Sequence, residues 1–472
     1  MKKVVSNYFY NLSYQVLTLI MPLITIPYVS RVLGAKGVGT YSYAYSLTQM
    51  FILAGGIGLG IYGQREVAYV QKDEHKRSVL FWELFCIRIV TFSVALAAFW
   101  GSLVLHGQYS YIYVIMMIDI VASLLDVSWF FQGMEEFKKI VLVNSLCKLM
   151  GIAAIFLFVK SISDLQIYTL CHSLTLLCGN AALWWYLRHY LKKIEVRELH
   201  CFRHLKGTLG LFLPQVALSL YAILDKSMIG FLTGVEEVGY YTQAQKIIRM
   251  ILAILTSLSA VMLPRIASLF QQKDMETIHL YMEKSIQFVC ALAFPMMLGM
   301  AAISTQFVPW FYGEGFEKVA PNLILIAPIF VLSALGSIMG TQYLLPLGRQ
   351  KEYTISIFVG SIVNIMMNFL LIPKYMSLGA AVATVISELC VDGVQIYFLR
   401  KEISVLHMVW KNLLYFLCSL LMAIPVYLLA AKMSSSLWNT ILLAGMGGIL
   451  YVLLLLLFRD PVLMGLMKKQ ER

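Results

Sequence analysis

Fourteen apolar stretches, each long enough to cross a bilayer, take up most of this chain. A helix rises about 1.5 Å per residue, so roughly 20 apolar residues traverse the hydrocarbon layer. The stretches run over residues 10–30, 40–62, 79–105, 111–132, 140–160, 165–187 and 208–233, then 239–263, 285–308, 322–346, 353–373, 378–399, 410–431 and 437–458. Only 13% of the 472 residues are charged, against about 25% in a soluble domain. The pattern predicts an all-α membrane protein of about 14 transmembrane helices. It excludes a soluble enzyme, a disordered chain and a secreted disulfide scaffold. Seven of the eight cysteines lie inside apolar stretches and no pair has CxxC spacing, so neither a disulfide framework nor a metal site is expected. Met1-Lys2-Lys3 mimics the start of a signal peptide, but the apolar run continues through Pro22 to Val29 without a small-residue cleavage site, which makes it a first span.

The net charge of +12 is explained by where the charge sits. With the amino terminus taken as cytoplasmic, the inside segments hold 26 lysines and arginines and the outside loops hold 6. Under the positive-inside rule this places both termini in the cytoplasm. The basic loops then face an anionic lipid surface, and nucleic acid is not an expected partner. Loops are short on both sides, so function is expected inside the bilayer.

An internal repeat groups the spans. Gly34-Ala-Lys-Gly-Val38-Gly39-Thr-Tyr41-Ser-Tyr-Ala44 follows the first span, and Gly234-Val-Glu-Glu-Val238-Gly239-Tyr-Tyr241-Thr-Gln-Ala244 follows the seventh, 200 residues later, with five of eleven positions identical. The offset pairs spans 1 and 2 with spans 7 and 8 in the same orientation, a parallel repeat of six-helix lobes such as alternating-access transporters use. The expected organisation is an N-lobe over residues 1–192, a C-lobe over 193–400, and two further helices with a tail over 401–472.

Polar stripes fall on the four repeat-paired spans. Asn7, Asn11, Gln15, Thr18, Pro22 and Thr25 recur along the first at helical spacing, and Ser42, Ser46, Gln49, Gly56 and Gly60 along the second. Gln215, Ser219 and Lys226 align on the seventh, and Thr242, Lys246, Arg249 and Thr256 on the eighth. Serine and threonine stripes commonly pack helix on helix. A cation at mid-bilayer costs about 2.5–3.5 kcal/mol on insertion scales, so Lys226 and Arg249 point to a polar lumen, with an ion pair to Asp225 as the structural reading. Lys246 lies near a span end and can snorkel.

A second set of charges comprises Glu83 and Arg88 in the third span, Asp119 and Asp126 on the fourth, Lys148 in the fifth, and Glu388 and Asp392 on the twelfth. Intramembrane carboxylates are relay candidates for protons or sodium. The structural alternative has Arg88 and Lys148 neutralising Asp119 and Asp126, with Glu388 and Asp392 wetted near a span end. Gly58-Leu-Gly60-Ile-Tyr-Gly63 matches a dinucleotide-loop pattern but lacks the strand that such a loop follows. It reads as helix packing and a loop start.

The run Pro22-Leu-Ile-Thr-Ile-Pro27-Tyr-Val-Ser-Arg31-Val-Leu-Gly34 with Gly37-Val-Gly39-Thr-Tyr41 resembles polysaccharide-repeat-unit flippases of the Wzx type. These belong to the multidrug/oligosaccharidyl-lipid/polysaccharide exporter (MOP) superfamily. Tyr62-Gly-Gln-Arg65-Glu66, Leu224-Asp225-Lys226, Val238-Gly239-Tyr240-Tyr241 and Val261-Met-Leu-Pro264-Arg265 extend the resemblance along the chain. The resemblance implies a bacterial cytoplasmic membrane protein that moves an undecaprenyl-diphosphate-linked oligosaccharide to the outer leaflet for capsule or O-antigen assembly, with a polysaccharide polymerase and chain-length machinery as further partners. It also implies a lumen between two lobes.

A diphosphate in apolar surroundings needs charge-assisted donors. Arg31, Arg65, Lys226 and Arg249 are the candidates, with Arg88 in reserve and Asn11, Gln15, Thr18, Gln49, Gln215 and Lys246 as further lumen-lining groups. Arg31 and Arg65 fall at opposite membrane edges. Tyr41, Tyr45 and Tyr241 are candidates for stacking on sugars, and Pro22, Pro27 and Pro214 for bending during transport. No catalytic centre or cofactor is expected; H⁺ or Na⁺ is the candidate coupling ion, carried by Asp119, Asp126, Asp225, Glu388 or Asp392. A peptidoglycan-precursor flippase and a drug exporter share the superfamily, though the latter favours an acidic lumen. A membrane-embedded polymerase would carry a larger extramembrane loop.

Overall fold

The computed structural model describes residues 2–460, apart from the side chains of residues 1–16, 211, 213–215 and 217–222. Asn7, Asn11, Gln15, Pro214, Gln215 and Ser219 therefore lie outside the described side chains. Two compact units divide the chain, Met1–Ser227 and Met228–Arg472.

The first unit is built from α1 (Lys2–Gly56), α2 (Leu59–Tyr69), α3 (Glu74–Phe99), α4 (Ser110–Leu124), α5 (Ser128–Gly133), α6 (Phe137–Phe158), α7 (Leu165–Leu187) and most of α8 (Leu205–Leu232). The second holds α9 (Val235–Gln271), α10 (Met275–Tyr312), α11 (Val319–Ile326), α12 (Ile329–Ser337), α13 (Gln350–Leu399), α14 (Val405–Lys411), α15 (Leu413–Ala430) and α16 (Leu437–Leu457). Helix occupies all fourteen predicted stretches. Nine helices among the described residues are long and apolar enough to cross a membrane, and α11 with the helical run through Leu344, bent by 40°, makes a tenth if the pair is counted as one span. Two of the nine, α1 and α13, each carry two predicted spans.

The breaks inside those long helices are local backbone events. In α1 the chain turns at Gly34, with φ 64° and ψ 177°, and the repeat-related Gly234 opens α9 at φ 115° and ψ 167°. The same extended, left-handed turn therefore separates both repeat-paired spans. In α13 the break is at Met376, φ 54°, where a side chain makes the turn less favourable than glycine would. Glu237 of the repeat segment holds that break. Ser377 Oγ donates to its Oε2 at 2.5 Å, and Lys318 Nζ donates to its Oε1 at 2.5 Å. The hydrogen bond to Glu237 raises the Lys318 pKa above its ordinary value. Asn322 Nδ2 completes the cluster by donating to Ser377 Oγ.

The second predicted span ends earlier than its hydropathy suggests, because Ile57 (φ 34°) and Gly58 (φ 77°) turn the chain into α2. The fourth is broken between α4 and α5. Pro22 and Pro27 lie within continuous α1 helix, and its break is at Gly34 instead.

The first unit's core is aromatic. Phe81 stacks on Trp129 at 5.6 Å and on Phe85 at 5.7 Å, with Phe130 and Trp184 meeting it edge-on. Glycines let α2 and the start of α8 close on this core. A Cβ at Gly63 would lie 2.5 Å from the Trp129 ring, one at Gly207 would lie 2.4 Å from Tyr62, and one at Gly58 would lie 2.7 Å from the Thr208 carbonyl oxygen. The start of α8 thus packs within the first unit, and the boundary between units falls inside that helix. In the second unit α15 and α16 pack on α10, so the last two predicted helices belong to the second body.

The Gly58 contact yields a test. Gly58→Ala combines a left-handed backbone, unfavourable by about 1–2 kcal/mol, with a collision against backbone. It should lower the thermal midpoint of the detergent-purified protein by several degrees, whereas Gly60→Ala, which meets open space, should leave it unchanged.

Candidate functional site

The polar stripes of the sequence resolve differently in the two units. In the first, Ser42 and Ser46 are buried, and Ser46 Oγ lies 2.9 Å from Ser227 Oγ. This bond ties the second half of α1 to α8 beside Asp225, which is buried, and Lys226, which is half-buried. Arg31 is exposed, one turn before the Gly34 break, and Gln49 is half-buried. Thr18 is exposed and accepts from Lys148 Nζ at 3.4 Å, joining α1 to α6. Arg65 is exposed; its Nη2 donates to Glu66 Oε1 at 2.8 Å, and its guanidinium lies 5.2 Å over the Tyr62 ring.

Arg88, the reserve candidate for diphosphate, is otherwise engaged. It is buried, its Nε donates to the Leu124 carbonyl at 3.0 Å, and its Nη2 donates to the Ser123 carbonyl. The guanidinium serves the last carbonyls of α4, which have no partner within the helix. Asp126 accepts from the Ser128 N–H at 2.9 Å and so caps α5. The expected pairing of Arg88 and Lys148 with Asp119 does not form among the described residues: Asp119 is fully buried, and the hydroxyl beside its carboxylate is that of Ser173.

Two of the three tyrosines proposed to stack on sugars, Tyr41 and Tyr241, are core residues, and Tyr45 is half-buried. Tyr41 packs against Tyr45 at 5.7 Å, Tyr168 at 4.9 Å and His172 at 5.5 Å, all around Asp119. Its repeat mate Tyr241 is fully buried with its hydroxyl 2.9 Å from Thr384 Oγ1. Period-3.6 spacing puts an aromatic on a face but does not say whether that face meets a lumen or a neighbouring helix.

In the second unit α9 carries Lys246, half-buried, and Arg249, exposed. Glu388 on α13 is half-buried. Asp392, expected to be wet, is instead 5% exposed, because Gly336 of α12 packs against that turn of α13. A separate apolar cavity of about 510 Å³ opens between α10, α15 and α16, lined by Pro295, Met296, Met422, Val426, Gly447 and Tyr451 among others.

One polar centre was missed by sequence reasoning. Glu83, fully buried on α3, accepts from the His200 N–H at 2.7 Å, from Arg203 Nη2 at 2.5 Å and from His204 Nε2 at 2.9 Å. His204 Nδ1 in turn lies 2.9 Å from the Tyr62 hydroxyl. A single carboxylate thus fastens the basic segment ahead of α8 onto α2 and α3. The signal was present as a lone acid in a span and an Arg-His pair in a distant loop, but nothing in one sequence joins them.

An all-helical chain of two units, each with cations on bilayer-length helices, defines a multi-pass membrane protein built for transport. The chain belongs to the polysaccharide biosynthesis protein family, whose model matches residues 4–270; the MatE family model matches residues 211–370. Over 390 residues it is 24% identical to a protein of Escherichia coli (strain K12) named as an O-antigen transporter, covering 81% of this chain and 93% of that protein. Among solved structures, the lipid II flippase MurJ in an inward closed conformation superposes with a TM-score of 0.76 at 15% identity, over 97% of this chain and all of that one. An inward-facing multidrug resistance MATE family transporter of the MOP superfamily superposes with a TM-score of 0.64 at 12% identity, over 82% and 95% of the two chains. These findings place the chain in the polysaccharide biosynthesis protein family with the fold of the MurJ and MATE structures, and the relatives it resembles are named as transporters and flippases rather than enzymes.

The Glu83 centre can be tested through Cys201, which is half-buried in the fastened segment. Glu83→Gln should free residues 199–204 and raise the rate of maleimide labelling at Cys201 severalfold, read by mass spectrometry of the 201-containing peptide. An unchanged rate would show that the segment is held by other contacts.

Proposed function

We propose that this protein moves a lipid-linked oligosaccharide from the inner to the outer leaflet of a bacterial cytoplasmic membrane by alternating access, supplying capsule or O-antigen-type polymer assembly. The observation that carries the reading is family membership together with cations on the repeat-paired helices α8 and α9. A polyprenyl-diphosphate headgroup is dianionic, and Lys226, Lys246 and Arg249 are the groups that would meet it; Arg31 and Arg65 serve at the two edges of the path. Arginine contributes a planar fork that binds phosphate oxygens bidentately, and lysine a point charge. The apolar cavity beside α15 and α16, lined by Pro295, Met296, Met422 and Gly447, suits a prenyl tail. Both termini lie in the cytoplasm on this reading, and a polysaccharide polymerase would take up the product.

A peptidoglycan-precursor flippase shares this anionic cargo, and a drug exporter would carry cationic cargo instead. Arg249→Ala and Lys226→Ala should each lower surface glycan at least tenfold while membrane abundance, read by immunoblot, stays constant. Arg249→Lys should retain part of the activity. Wild-type glycan export by both alanine variants would overturn the assignment of these cations to the diphosphate. Accumulation of lipid-linked repeat unit on the cytoplasmic face of a deletion strain, with peptidoglycan synthesis unaffected, would separate the glycan reading from the peptidoglycan one.

A further inference from the structure

We propose that residues 199–206, leading into the first turn of α8, form a contact site for anionic phospholipid, with Phe202 inserted among the acyl chains and Arg203 and Lys206 against the phosphates. Hydropathy leaves the whole segment between α7 and α8 outside the spans, but its tethers to α3 place part of it deeper. The earlier part runs beside the start of α3. Lys192 N–H donates to Ser78 Oγ at 2.9 Å, the Tyr190 carbonyl accepts from Arg77 Nη2 at 2.7 Å, and His75 Nε2 lies 2.7 Å from Glu198 Oε2. These α3 residues precede the apolar stretch that begins at residue 79. Two residues after Glu198 the chain is fastened to Glu83 instead, through His200 N–H, Arg203 and His204. From His75 to Glu83 the helix rises about 12 Å. Residues 200–204 therefore lie beside the apolar part of α3, about 6 Å past its start.

The two sides of this turn differ. Cys201 and Leu205 pack against the aromatic core of the first unit, and His204 is buried. Phe202 is on the other side and 87% exposed, and Lys206 and Leu209, four and seven residues on, are exposed as well. Residues at that spacing share one side of a helix. The outward side thus reads apolar, cationic, apolar at a depth where the apolar stretch of α3 has already begun. Arg203 joins it. Its Nε donates to His204 Nε2 and its Nη2 to Glu83, while the side chain stays 55% exposed, so Nη1 is the donor for a second oxyanion.

The chemistry of that side selects its occupant. A phenylalanine ring held at the boundary of the apolar layer gains by burial among acyl chains. A lysine beside it keeps its stem in apolar surroundings and its ammonium at the phosphates, and arginine binds phosphate oxygens with charge-assisted hydrogen bonds. Net charge favours an anionic lipid over a neutral one: residues 188–206 hold six lysines and arginines against two glutamates, and such clusters draw anionic headgroups. The turn is also fixed before contact, because Glu83 and the Tyr62 hydroxyl both hold His204, so little chain has to be ordered on insertion. The contact sets the amino end of α8 at the headgroup layer. It stands independently of which substrate the protein moves.

Phe202→p-benzoylphenylalanine in the full-length protein tests the site. The purified variant is placed in nanodiscs of phosphatidylcholine with a minority of phosphatidylglycerol and no lipid-linked substrate, irradiated, digested and read by mass spectrometry. The 202-containing peptide should carry a phospholipid adduct, with phosphatidylglycerol enriched at least threefold over its share of the nanodisc. Lys206→Gln in the same background, or Lys206→Met where size-exclusion elution shows that the first variant fails to fold, should return that share to the nanodisc's own. The same probe at Val196, 82% exposed but beside the start of α3, should give at least tenfold less lipid adduct. Equal adduct yields at 196 and 202, or a 202 crosslink to another peptide of this protein, would overturn the proposal. So would a phosphatidylglycerol share that never exceeds the nanodisc's own or that the Lys206 variant leaves unchanged. A crosslink from 202 to a second protein in place of lipid, when native membranes are irradiated, overturns it as well.

Discussion

Lipid offers no hydrogen bonds, and most of this structure follows from that constraint. A backbone group left unpaired in hydrocarbon is unfavourable by several kcal/mol, so each crossing must be helical and each interruption must find partners of its own. The interruptions here do. The Met376 break is served by the Glu237 carboxylate, which accepts from both Ser377 N–H and Ser377 Oγ. The end of α4 is served by the Arg88 guanidinium, and the start of α5 by Asp126. Arg88 and Asp126, which looked like transport machinery in the sequence, are here what serves the interruption between α4 and α5.

The same economy explains Glu83. Burying one carboxylate is strongly unfavourable unless donors surround it, and Glu83 collects a backbone N–H, a guanidinium and an imidazole from a segment more than a hundred residues away. The segment between α7 and α8 therefore belongs physically to the first unit, although by sequence it connects the two repeats. The Gly58 and Gly207 contacts act in the same direction by bringing α2 and α8 within van der Waals distance.

Hydropathy made the number of crossings and their order legible, because fourteen apolar stretches separated by short basic loops admit few other folds. The repeat was legible too, and Gly34 and Gly234 show its physical basis in a shared left-handed turn. The roles of individual polar residues were not. Arg88 and Arg249 are both single arginines in apolar runs, yet one is buried on carbonyls and the other is exposed on α9. Tyr41 and Tyr241 were candidates for stacking on sugars, and both are packed inside their own units. What separates these cases is the identity of the neighbouring helix, which a periodicity of 3.6 does not contain. Asp392 shows the same limit: nothing in its stretch of sequence predicts that Gly336, 56 positions earlier, leaves the space beside it.

For the proposed substrate, the driving force divides by sign. Moving a dianionic diphosphate outward down an inside-negative potential releases about 2.3 kcal/mol per charge per 100 mV. On the proposed reading, the return of the unloaded cations Lys226, Lys246 and Arg249 carries positive charge inward and is helped by the same field. Both half-steps then run downhill on the potential alone.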